Sequence, residues 1–303
     1  MTQFFYLTKR NLLLYFRDKG AVFFSLLSML IIIALMLFFL GDMSIDGIVE
    51  MLSALPEHDP TNDKKNAELF MLAWTVAGII PINAAMVSLS TLASFIKDKG
   101  TGKSGAIHTS PISRFTITMS YITAACLASV MICIITLALS ELYLCIKGLA
   151  VFTAMEHLKL FGMILVNSFT YSAIMYLCAV LVKSEGAWSG LGTVIGTLVG
   201  FLGGIYLPIG NLSEGLRNVL SCTPVIYGTV MFRSVMTGTI TDVTFADAPA
   251  TMIEETRSVM GIDYSSFGSS VSAAECIMIV VGFGLVFTMI GAAVTVFKKH
   301  KDR

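Results

Sequence analysis

Charge is what this sequence has least of. Of 303 residues, only 13 % are Asp, Glu, Lys or Arg, about half of the ~25 % usual in soluble proteins. Twenty basic and twenty acidic side chains cancel to a net charge of zero. That is too little polar surface to clothe a soluble fold of this size. Disorder is excluded too, since it goes with few apolar residues and much charge. So is a nucleic-acid binder that works through bulk positive charge. Chemistry-bearing motifs are just as scarce. The six cysteines contain no Cys-x-x-Cys pair, so neither a metal site nor a disulfide framework is expected. Cys126, Cys133, Cys178 and Cys276 sit in apolar runs, Cys145 near the end of one and Cys222 in a loop; they read as small packed side chains. His58, His108, His157 and His300 fall in loops or tails without metal-ligand spacing. No serine stands in Gly-x-Ser-x-Gly. Gly102-Lys103-Ser104 resembles the end of a phosphate loop, but Lys97 occupies the first glycine position and a membrane helix precedes it. No catalytic constellation, metal site, cofactor or ATP site is expected in this chain, and no nucleic acid as a partner.

What the sequence does hold is apolar length. Hydrophobic residues make up 55 %, and the mean hydropathy is +0.81. About 20 apolar residues in a helix cross a ~30 Å hydrocarbon core. Six segments qualify: 21–40, 69–96, 115–146, 160–182, 188–207 and 273–297. The expected fold is all-α, a polytopic membrane protein with six transmembrane helices forming one domain over 1–303. An even number of spans puts both termini on one side. The N-terminal segment, the 97–114 loop, the 183–186 link and the tail carry 13 basic residues, against seven on the opposite side. The richer side is expected to be cytoplasmic. Gly41-Asp42 is no small-x-small cleavage site, so the first span reads as retained.

Residues 2–19 place Phe4, Thr8, Leu12, Tyr15 and Phe16 on one helical face, with Lys9, Arg10 and Arg17 off it. That pattern predicts an interfacial helix. The stretch 208–238 holds Pro208, Pro224, Glu214, Arg217 and Arg233, so it cannot cross as one helix. Asn211 and Glu214 have capping-box spacing. Leu212, Leu216, Val219 and Leu220 then share a face, and Pro224 starts a second piece, 225–236. Two short re-entrant helices before the last span are expected, buried in protein or facing water. The stretches 42–68 and 239–270 read as polar outer loops.

Few residues inside the spans stand out. Glu141 lies toward the outer end of the third span, either an interfacial acid or a group in contact with substrate. Glu275 suits the N-terminus of the sixth. Gly192, Gly196, Gly200 and Gly204 recur every four residues on the fifth. They permit close helix approach, within the chain, at a dimer interface or along a pathway. Pro81 and Asn83 interrupt the second span, where a bend fits, and Asn167 in the fourth reads as a packing hydrogen bond.

The loop after the second span joins Lys97-Asp98-Lys99-Gly100-Thr101 to Ser110-Pro111-Ile112-Ser113-Arg114. With the six spans, the interfacial helix and the paired short helices, these residues make the chain resemble the permease subunit of a type-2 ABC exporter over nearly its whole length. The stretch 211–220 with Thr223-Pro224 resembles that family's turn after the fifth span. The loop departs from the family in Gly102 and Gly105, where a leucine-rich coupling helix is expected. The resemblance implies an ATP-driven exporter whose ATP and Mg sit on a separate cytoplasmic ABC ATP-binding subunit. It implies docking of that subunit at 97–114 through Asp98, Lys99, Gly100, Thr101, Ile107, Ser110, Pro111, Ile112 and Arg114, and at residues 1–20. It also implies a second permease subunit, identical or related. The glycine face, Asn83 and Glu141 would then lie at the pathway or dimer interface. The setting implied is a bacterial plasma membrane, with lipid around the spans and a lipophilic drug, lipid, peptide or glycan as cargo. A secondary transporter would instead need ionisable groups in the bilayer and a repeated half. A membrane sensor or assembly protein would leave the 97–114 loop unexplained.

Overall fold

Apolar segments in hydrocarbon can satisfy their backbone only as helices or closed barrels, and here they do so as helices. A computed structural model of the chain describes residues 2–35, 41–53, 59–102, 111–148, 152–204, 208–246 and 248–297. The helices are α1 (Thr2–Arg17), α2 (Lys19–Leu35), α3 (Gly41–Leu52), α4 (Pro60–Gly100), α5 (Arg114–Ile146), α6 (Ala154–Leu181) and α7 (Glu185–Leu202). They continue as α8 (Glu214–Ser221), α9 (Pro224–Met236), α10 (Gly238–Thr244), α11 (Ala250–Val259) and α12 (Ala273–Phe297). A 3-10 turn at Ile209–Asn211 precedes α8. A small antiparallel hairpin, Tyr264–Ser266 with Ser269–Val271, precedes α12.

The helix at the centre is α4. Its 41 residues extend about 60 Å, twice the hydrocarbon thickness. Asp59 caps its start, accepting from the Thr61 N–H at 3.1 Å, and Pro60 sits in the first turn where no N–H is needed. The most apolar window of α4 is 94 % buried, while that of α12 is only 17 % buried. So α4 is wrapped by the other helices, and most of the surface of α12 is left uncovered by this chain. Helices α1, α2, α3, α5, α6, α7, α9 and α10 all pack on α4.

Small polar residues hold the bundle together, as expected where apolar attraction between helices is lost. Asn83 Nδ2 donates to Thr136 Oγ1 at 3.0 Å, joining α4 to α5. Ser88 and Ser172 join α4 to α6 at 3.0 Å, and Ser129 donates to Ser168 at 2.9 Å, joining α5 to α6. Thr170 Oγ1 donates to the Val280 carbonyl at 2.8 Å, joining α6 to α12. Glycine allows the closest approaches. A Cβ on Gly284 would meet Phe169 and Thr170 at 2.8 Å, and one on Gly228 would meet Asn167 Oδ1 at 2.6 Å. Asn167 Nδ2 bonds the Met163 carbonyl of its own helix, so its part in packing is to be contacted by α9.

Several sequence expectations change. The stretches read as polar loops are largely helical: α3 buries Ile48 and Leu52, and α10, α11 and the hairpin occupy most of 238–271. Hydrophobic residues spaced for a helix were masked by the surrounding acids. The capping box of Asn211 with Glu214 does not form. Asn211 belongs to the 3-10 turn, and Ser213 is the N-cap of α8 without a side-chain bond. Of the apolar face on α8, Leu220 is buried, but Leu216 and Val219 are 50 % and 59 % exposed. A working box forms instead at α6, where Thr153 and Glu156 cap each other reciprocally. Ser272 and Glu275 make the same exchange before α12. In α1 the buried face is Thr8, Asn11 and Tyr15, and Arg10 turns inward.

By length and apolarity, α4, α5, α6 and α12 can cross a membrane. The pair α8–α9, bent by 94°, makes up to five among the described residues. The chain is an all-α polytopic membrane protein.

The close approach at Gly284 gives a direct test. Gly284→Ala should destabilise by about 1–3 kcal/mol through overpacking. Gly282→Ala, with open space around it, should not lower the melting temperature of the purified protein in detergent. Equal losses at the two positions would show that α6–α12 contact does not depend on the missing side chain.

Candidate functional site

The residues at the end of α4 are wired into three other helices. Asp98 is only 5 % exposed. Its carboxylate accepts from Arg10 Nη2 at Oδ1 and from the Tyr121 hydroxyl at Oδ2, both at 2.9 Å. Arg10 Nη1 lies 2.9 Å from Oδ2, which completes a two-pronged ion pair. The hydrogen bond that Arg10 donates to Asp98 raises its pKa above the ordinary value. One acid thus fastens α1 and α5 to α4. The next residue faces elsewhere. Lys99 Nζ donates to the carbonyls of Ala179, Val180 and Val182 at 3.1, 3.3 and 2.9 Å. These close the end of α6, where a cation meets orphan carbonyls and the negative end of the helix dipole. The ammonium also lies 5.2 Å from the centre of the Phe95 ring, and Phe95 packs edge-on to Tyr121 at 4.9 Å.

Beyond this pair the chain turns. Thr101 closes α4, its N–H and hydroxyl both donating to the Lys97 carbonyl. Gly100 is exposed, and a Cβ there would stand 3.7 Å from Glu185 Oε1. Pro111 is exposed, Ile112 packs against the core, and Ser113 caps α5. Arg114 Nη1 donates to the Thr295 carbonyl in the last turns of α12 at 3.3 Å. Ile107 and Ser110 lie outside the described residues.

The remaining candidates do not converge. Gly192 and Gly196 face α4 of the same chain: a Cβ would meet Leu89 Cδ2 at 3.2 Å and Met86 Cε at 3.3 Å respectively. Both line a groove of about 880 Å³ between α4 and α7 that begins at Asp18 and Ala21. A second cavity of about 420 Å³, lined by Arg10, Lys97, Asp98 and Glu185, adjoins it. Gly200 is buried, and Gly204 lies beyond α7 with φ +63°, a left-handed conformation suited to glycine. Asn83 belongs to the α4–α5 contact and does not line the groove. Glu141 sits at the far end of α5, accepting from the Phe152 N–H at 3.2 Å and meeting His157 Nε2 at 2.9 Å. It ties the end of α5 to the start of α6.

Sequence reasoning missed Arg10 and Tyr121 as partners of Asp98, because their separations of 88 and 23 residues carry no local signal. It counted Arg233 only as a charge that keeps 208–238 from crossing as one helix, although its isolation in the apolar run of α9 was a usable sign of a buried role. Arg233 is fully buried. Its guanidinium lies 3.9 Å over Trp74 and donates to the carbonyls of Gly204 at 3.0 Å, Met260 at 3.2 Å and Gly203 at 3.4 Å. No carboxylate pairs with it among the described residues. It holds the segment that ends α7 against α4, α9 and the turn after α11.

A double-mutant cycle tests the pair at Asp98. Asp98→Ala should cost about 1–3 kcal/mol, since it strands two donors, and Arg10→Ala somewhat less. The double variant should cost less than the sum. Additive melting shifts in detergent would mean that the pair contributes nothing to the fold.

A family model described as ABC-2 family transporter protein matches residues 51–293, from α3 into α12. No curated protein matches the chain. The match spans most of the sequence and takes in the junction at Asp98 and Lys99, the groove beside α7 and the bent pair α8–α9. The chain therefore belongs to the ABC-2 family of transporter proteins and is a permease of that type.

Proposed function

We propose that the chain is the transmembrane permease subunit of an ATP-driven exporter. The observation that carries this reading is the junction at Asp98 and Lys99. Two adjacent residues bind the end of α4 to α1, α5 and α6, and Arg114 adds α12. A displacement delivered there reaches the whole bundle at once. An ABC ATP-binding subunit, carrying ATP and Mg, docks on the exposed Gly100, Thr101 and Pro111 and, as the family resemblance implies, on Ile107 and Ser110. Asp98, Lys99 and Arg114 serve as positioning residues beneath it, because their polar atoms already have partners within the chain.

In this reading α2 and α7 cross the membrane with the four long helices, giving six spans. The α2 helix has 17 described residues and α7 has 18, so each falls at the lower edge of a span. The α8–α9 pair dips back from the outer side. Both termini and the Lys97–Arg114 loop lie in the cytoplasm, and the membrane is the plasma membrane. A second permease subunit, identical or related, completes the pathway, and the groove beside Gly192 and Gly196 forms this subunit's share of it. A secondary transporter is less well supported: Glu141, the acid it would use, is occupied by His157 and a backbone N–H.

Purification of the tagged chain from native membranes in mild detergent should bring down a soluble protein with a complete phosphate loop in stoichiometric amount. Lys99→Gln should leave the two associated while reducing the permease-dependent stimulation of ATP hydrolysis several-fold. Reproducible absence of any ATP-binding partner would overturn the reading.

A further inference from the structure

The two cavities are one cleft. They share Asp18, Ala21, Ser90, Ala93, Trp188 and Ser189. From Lys97 to Met86 along α4 is about 16 Å, and from Glu185 to Phe201 along α7 about 24 Å, so the cleft is long. Its chemistry changes along that length. At one end Arg10 and Asp98 neutralise each other. Lys97, Asp18 and Glu185, all exposed, then leave one positive and two negative side chains around the same chamber. Asp18 holds its place by accepting from the Ala21 N–H through Oδ1 at 3.0 Å.

The other end is apolar. Met86 and Leu89 face the glycines there, Phe201 lines the same end, and Asp18 is the single charged residue among the lining. Thr193 and Thr197 give their hydroxyl protons to carbonyls of their own helix, so that wall offers little hydrogen bonding. Between the ends stands Trp188. It is 5 % exposed, and its indole N–H has no acceptor among the described residues. A ligand that matches this surface carries both signs of charge at one end and a hydrocarbon body at the other. An anionic head would face two carboxylates. An uncharged head would leave three ionised groups uncompensated as the cleft filled.

We propose that this cleft binds a zwitterionic amphiphile with a phosphate and an amine, a phospholipid of the phosphatidylethanolamine class, phosphate toward Lys97, ammonium toward Asp18 and Glu185, and a hydrocarbon chain along Met86, Leu89 and Phe201. The inference deepens the permease reading, on which it rests for its meaning as transport, by naming a substrate class for the groove. Binding itself needs no ATP-binding partner, so the two can fail separately.

The test uses the full chain, purified alone in mild detergent. Short-chain phosphatidylethanolamine, phosphatidylglycerol and diacylglycerol with the same chains are titrated, and bound lipid is counted by native mass spectrometry. Phosphatidylethanolamine should bind saturably and about tenfold more tightly than phosphatidylglycerol. The double variant Lys97→Gln with Glu185→Gln changes two exposed side chains, so it should keep its melting temperature while losing that preference. Gly196→Leu fills the cleft and should abolish saturable binding of both phospholipids. Equal binding of both, unchanged in the double variant, identifies ordinary annular lipid and overturns the proposal. Absence of saturable binding overturns it as well. So does a Gly196→Leu variant that binds lipid normally and changes only the oligomeric state, since a second copy of the chain would then be the occupant.

Discussion

A long helix enclosed on nearly every side is the constraint from which the rest of this structure follows. With 94 % of its most apolar window buried, α4 has almost no lipid-facing surface. Each of its faces must therefore be matched by another helix. Its polar residues become contacts: Asn83 to α5, Ser88 to α6, Asp98 to α1 and α5, Lys99 to α6. Because dispersion and hydrogen bonding, not the hydrophobic effect, hold helices together in hydrocarbon, these contacts decide which helix lies where. They also make α4 the one element whose movement no neighbour can ignore.

A second constraint acts at the helix ends. The last carbonyls of any helix lack intrahelical partners, and near the bilayer water does not reliably supply them. Here cations from other helices do so. Lys99 closes α6, Arg114 reaches the last turns of α12, and Arg233 closes the segment after α7. In each case the positive charge faces the negative end of a helix dipole. This explains how Arg233 can be fully buried without a carboxylate among the described residues: three carbonyls and the face of Trp74 share its charge. Basic residues that the sequence presents as loop charges are thus, in part, fasteners between helices.

What was legible in the sequence followed from local chemistry. The apolar runs gave α5 and α12 nearly to the residue, since Ser113 and Ser272 cap where polarity returns. The N-terminal amphipathic pattern gave α1, and Pro224 gave the start of α9. Outside the spans, residues 42–68 and 239–270 looked like loops because acids and turn-forming residues interrupt their apolar positions. Burial of Ile48, Leu52, Ile240 and Phe245 against the end of the bundle made helices of them. The motif at Asp98 was visible as a resemblance. Its physical content was not, because Arg10 lies 88 residues away and helical periodicity assigned it to the outer face. Periodicity sorts residues by polarity, and a basic residue that turns inward to a buried acid defeats that sorting.

The junction and the cleft place opposite demands on one stretch of chain. Asp98 and Lys99 fix the end of α4 by ion pair, hydroxyl and carbonyl bonds, a rigid arrangement in which one part cannot shift without the others. About three turns back along α4, Gly192 and Gly196 face the flexible tips of Leu89 and Met86. Met and Leu adapt by rotation, and glycine offers no side chain to lock, so α7 can slide on α4 at small cost. In the proposed permease, a rigid joint followed along α4 by a compliant contact would convert a push at the end of that helix into a change in width along the groove. If both contacts were stiff the cleft could not change, and if both were soft the push would dissipate before reaching it. In the proposed permease the spacing of Gly192 and Gly196 matters because both face α4 some turns before Asp98 and Lys99, on the helix that would move relative to the one those residues hold.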